Sequence, residues 1–93
     1  MLKFCSLAAV AVLSLTSLSM PVLADGKNDC TTEAKEKWKP QADAEAAAKA
    51  AGYEVRRSKI EGTCYEVYAV KDGKNLELFY NPIDLKLVLT VVK

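Results

Sequence analysis

The chain predicts an α+β fold: one main helix packed on a four-stranded antiparallel β-meander. Three observations predict it. An alanine-rich stretch is bounded by Pro40 and Gly52, the apolar period shortens from about 3.6 to 2 after Tyr53, and short turn-like segments separate four candidate strands. Short connections between consecutive strands make antiparallel neighbours, which gives the meander.

The N-terminal 24 residues, "MLKFCSLAAVAVLSLTSLSMPVLA", stand apart from this fold. Lys3 precedes an apolar run from Phe4 to about Leu15, and Pro21 then leads into Val22-Leu23-Ala24. Small residues near the cut, on a chain that proline keeps extended, are what a signal peptidase accepts. Residues 1 to 24 are therefore expected to be a signal peptide cleaved between Ala24 and Asp25, and the mature protein to be periplasmic or secreted. A retained anchor needs roughly 20 strongly apolar residues. Ser14, Thr16, Ser17 and Ser19 interrupt this run, so no stable membrane anchor is expected after cleavage. Cys5 leaves with the signal.

Residues 25–93 then form a single small domain. Without Lys3 its 12 basic and 12 acidic residues balance. That balance argues against nucleic acid as a partner, which rewards a strongly basic surface. A domain of this size buries only about 60% of its unfolded surface, so a covalent staple is a common supplement. Cys30 and Cys64 are the two cysteines left, and an even count in an exported domain points to a disulfide. Redox pairs usually sit close together as Cys-x-x-Cys. The wide spacing here favours a structural bridge over reversible thiol chemistry, the alternative for an envelope protein.

Within the domain, "DGKNDC" reads as a polar lead-in. Residues 31–37 read as a short helical turn or loop, with Trp38 tucked in before the helix. Pro40 suits a first helical position, alanine favours the helix interior and Gly52 suits the stop. The strands are expected at Tyr53 to Ile60, Cys64 to Val70, Leu76 to Tyr80 and Leu87 to Val92. Val55 and Ile60 have opposite parity, so a bulge is expected in the first strand. Alternation assigns Tyr65, Val67, Ala69, Leu76, Leu78, Tyr80, Leu87, Leu89 and Val91 to one apolar face beneath the helix. The other face carries charges interrupted by Tyr68, Phe79 and the valines of the last strand, and its aromatic residues are expected either to be open to a partner or to be covered by the Cys30 to Trp38 segment.

The signal segment, the early cysteine, "WKP", the helix ending in "AAGYEV", then "GTCYEVYAV" and "DGKNLELFYNP" together resemble small exported proteins made of a single PepSY domain. The resemblance spans about residues 30 to 88. It implies a bacterial periplasmic protein with a helix on a small antiparallel sheet, and a protease-regulating role, since relatives occur in metallopeptidase propeptides. It brings no catalytic residues with it. One departure is "NPIDLKL": the family usually turns into its last strand on a glycine. Leu85 resists a positive φ, so the final turn is expected to be rebuilt or longer.

The chain has no histidine, the commonest general base and metal ligand. It also lacks a Gly-rich phosphate loop and a Cys-x-x-Cys metal pair. Asp25, Asp29, Glu33 and Glu36 are better explained as an exposed terminus than as a cation site. No enzyme activity, cofactor or metal is expected. What remains is a binding module for an unidentified periplasmic protein or peptide, through a face bearing Tyr68 and Phe79 or through an unpaired edge strand. Self-association as a homodimer would use the same surfaces.

Overall fold

A computed structural model describes residues 26–93, and the expected signal segment and Ala24–Asp25 cleavage point lie outside them. A 3-10 turn at Lys35–Lys37 precedes one helix, α1 (Gln41–Ala50). Four strands follow: β1 (Glu54–Glu61), β2 (Cys64–Lys71), β3 (Lys74–Tyr80) and β4 (Leu87–Val92). They form one antiparallel sheet in the order β1-β2-β3-β4, so β1 and β4 are its edges.

Pro40 sits at the N-cap with ψ 146°, one position earlier than expected, and Gln41 begins the helix. Proline suits this place because its missing N–H falls where no intrahelical partner exists. Ala44 and Ala48 are fully buried while Ala42 and Ala46 face solvent. Only methyl groups separate α1 from the sheet, so it lies close against β1 and β2. Ser58 pins it there: its hydroxyl accepts from Gln41 Nε2 at 2.7 Å and donates to the Glu45 carboxylate. The helix, Tyr65, Val67 and Ala69 of β2, and Leu76, Leu78 and Tyr80 of β3 form one core.

The turns follow their residues. Asp72-Gly73 both take positive φ, the hairpin pattern that matches strand twist. Between β1 and β2, Gly62 alone does so. The expected bulge in β1 is present: Val55 pairs with Ala69 and Arg57 with Tyr68, leaving Arg56 as the extra residue.

The last strand differs from expectation. Val92 pairs with Leu76 and Thr90 with Leu78, so these two lie on the helix side. Leu89 and Val91 oppose Phe79 and Glu77 on the far side, the reverse of the predicted parity. The connection from β3 fixes this register. Leu85 does take a positive φ of 60°, donating its N–H to Asn81 O at 2.8 Å and packing its side chain on the core. Asn81 donates in turn to Lys86 O, and a bulge at Val88 resets the phase before Leu89. Apolar packing and these hydrogen bonds offset a left-handed conformation that costs a non-glycine residue roughly 1–2 kcal/mol.

Candidate interaction surfaces

The far face of the sheet is covered around Cys64 and Phe79 by the N-terminal lead-in, residues 26–31, acting as a strap. Every residue of "GTC" at positions 62–64 holds it. Gly62 leaves room for Asn28, since a Cβ there would meet the Asn28 carbonyl. Thr63 donates its backbone N–H to Asn28 O at 3.1 Å, and its hydroxyl accepts from the backbone N–H of Cys30 at 2.8 Å and Thr31 at 3.2 Å. Cys64, fully buried, forms the disulfide with Cys30 across a sequence separation of 34. Asn81 Nδ2 completes the hold by donating to Cys30 O at 3.1 Å.

This strap decides the fate of the predicted aromatic face. Gly26 lies directly against the Phe79 ring, where any Cβ would overlap it, and Phe79 is only 1% exposed. Tyr68 is half-buried, with the Arg57 guanidinium 3.9 Å from its ring centroid. That distance fits a cation–π contact. Tyr68 and Phe79 therefore do not make one open surface. The chain then passes around the end of the sheet to its other side, where Trp38 meets Tyr65 edge-to-face at 5.6 Å between centroids. The Tyr65 hydroxyl donates to Lys39 O at 2.6 Å, and Lys39 N–H donates to Pro82 O at 2.8 Å. Residues 26–31, and not the Cys30 to Trp38 segment as a whole, provide the cover.

Beneath the same face lies the most buried charge among the described residues, Glu66, at 4% exposure. Loss of water pushes its carboxyl up from the usual range, and the neighbouring Glu77 adds to this. Tyr68 and Lys59, whose Nζ is 3.8 Å away, oppose the shift without cancelling it. Among the described residues, no cluster of three potential metal ligands forms. Asp29 instead pairs with Lys27 at 3.1 Å, and Glu33 with Lys37 at 3.9 Å.

The unpaired edge strand, expected without a choice between the two edges, is most apolar at β4. Of five large apolar side chains well exposed among the described residues, four lie on β4: Leu87, Val88, Leu89 and Val92, the last at 59%. The strand reads "LVLTVV" and carries no charge. A signal for this was present. A helix is about 10 Å wide and strands are about 4.8 Å apart, so one helix covers roughly two strands, not four.

No match was found among curated proteins or among solved structures. The family model described as the peptidase propeptide and YPEB domain (PepSY_2) matches residues 6–90, so the chain belongs to that family of propeptide-type regulatory modules.

Proposed function

We propose that the protein is exported, is cleaved after Ala24, and acts as a non-catalytic binding module that modulates a secreted peptidase or another envelope protein. The observation that carries this reading is the β4 edge. With α1 over the β1–β2 half of one face and the strap over Cys64 and Phe79 on the other, β4 is where uncharged strand backbone and apolar side chains remain accessible together. An extended segment of a target adds to such an edge through main-chain hydrogen bonds, with alternate side chains supplying selectivity. Family membership supports a peptidase as the target class.

The test is proteolysis by a secreted-peptidase fraction, measured with and without the mature chain. Inhibition that is lost in Val92→Lys and kept in Tyr68→Ser supports the β4 site. Unchanged proteolysis at saturating protein removes the peptidase reading, and inhibition lost in Tyr68→Ser alone moves the site to the far face.

A further inference from the structure

The direction of the β4 backbone groups selects an occupant for this edge. Lys93 donates its N–H to Asn75 O at 2.9 Å, on the β3 side. In an antiparallel ladder such residues alternate, so Val91 and Leu89 also turn their backbone groups toward β3. Thr90 and Val92 turn theirs outward, and among the described residues no strand receives them.

A strand adding antiparallel to this edge must place its own bonding residues opposite these two. For a second copy of β4 related by a two-fold axis, the bonding positions are Thr90 and Val92, since the bulge at Val88 ends the alternation, and a bonding position must face a bonding position. Among the registers that satisfy this, the one nearest the middle of the strand puts Thr90 opposite Thr90 on the axis. Leu89 then faces Val91 on both sides of the axis, and Val92 lies opposite the bulged Val88. The alignment that would set Lys86 against Lys93 puts Thr90 opposite Leu89, so the hydrogen-bond pattern excludes it.

The centred register suits a sheet. Its central threonine pair stabilises the cross-strand contact, while like charges directly opposite, which would destabilise it, do not occur. Lys93 lies opposite Leu87, and its ammonium is already 3.5 Å from the Glu77 carboxylate of its own chain. A two-fold contact of this kind is self-complementary and closes at two copies. It covers Val88, Leu89 and Val92, three of the four exposed β4 residues, with the same three from the partner copy.

From this geometry we infer that the protein forms a homodimer through antiparallel β4–β4 pairing centred on Thr90, joining two sheets into one of eight strands. The axis stands perpendicular to the sheet, so both helices lie on the same side. Self-pairing and target binding then compete for one edge, and the dimer is a masked form. That last consequence rests on the functional reading above, whereas the dimer itself does not.

The experiment is sedimentation of the mature, disulfide-bonded chain over a wide concentration range, with amide hydrogen exchange on the same samples. The expected result is a mass that rises toward twice the monomer's, together with slower exchange at Thr90 and Val92 as concentration increases. Thr90→Arg sets two cations against each other on the axis, and association is expected to weaken roughly tenfold or more with the circular dichroism spectrum unchanged. Arg56→Ser, on the opposite edge, should leave association as it was. A wild-type chain that stays monomeric with freely exchanging Thr90 and Val92 amides overturns the dimer and leaves the edge to a target strand, whose binding the proteolysis assay reads separately. A dimer that persists in Thr90→Arg places self-association elsewhere and also overturns the proposal.

Discussion

The two edges of this sheet are built by opposite rules. β1 carries Glu54, Arg56, Arg57, Lys59 and Glu61 among its eight residues, bulges at Arg56 and supports α1. β4 carries no charge among its six, and four of its apolar side chains stand exposed. Charges and bulges are how a sheet discourages strand addition. Among the described residues, one edge is therefore thoroughly protected and the other has only the bulge at Val88. The same division runs through the whole molecule: helix, disulfide and the Thr63 hydrogen bonds all act on the β1–β2 half.

That concentration can be broken most severely at the disulfide. Cys30→Ser/Cys64→Ser releases a loop of about 35 residues, and the chain-entropy model puts the loss at roughly 3–4 kcal/mol. For a domain of this size the melting temperature should fall by about 15–25 °C. Thermal unfolding followed by circular dichroism reads this directly. A fall of a few degrees would mean that the strap holds without its covalent end.

The next largest effect is expected from Gly62→Ala. Gly62 has φ 60° and sits where a Cβ would meet Asn28. Left-handed strain alone costs a non-glycine residue roughly 1–2 kcal/mol, and displacing the strap adds to it, so about 2 kcal/mol is expected in urea unfolding. Gly73 has a similar φ of 75° but open space around it. Gly73→Ala should therefore cost less, and equal losses at the two glycines would show that strap contact at Gly62 adds nothing. Thr63→Ala is a milder break, removing the acceptor shared by the Cys30 and Thr31 amides, and is expected to cost about 1–2 kcal/mol.

The contrast between the halves also marks how far the sequence could be read. The four strands, the helix, the disulfide and the β1 bulge followed from local signals: period, turn residues, cysteine count and parity. The parity of β4 did not, because it depends on Leu85 in the preceding connection and on the bulge at Val88. A left-handed leucine is tolerated here by packing on the core and by the bond to Asn81, which are tertiary facts. The cover over Phe79 was anticipated as one of two outcomes, but from the wrong segment. Gly26, in a polar lead-in, gave no apolar signal that it packs on an aromatic ring, since a glycine closes a contact by lacking a side chain.

The smallest expected effect tests the far face through Glu66, which lies beside the strap-covered Phe79. Burial raises its carboxyl pKa in the folded state above the usual value of 4.5, so the folded chain binds this proton more tightly than the unfolded chain. Stability from this group is complete below the unfolded value and is lost as pH rises through the raised folded value. At neutral pH the buried carboxylate is therefore a net cost, even with Lys59 at 3.8 Å. Glu66→Gln removes the titration while keeping shape and hydrogen-bonding capacity. The stability gained by the variant over the wild type should be larger at pH 7 than at pH 4, growing as pH rises from the unfolded value through the raised folded one. Other groups titrate in both chains and largely cancel in the difference. An advantage that instead shrinks toward neutral pH would mean that Lys59 and Tyr68 outweigh desolvation, and that the face beside the strap holds its charge as an ion pair.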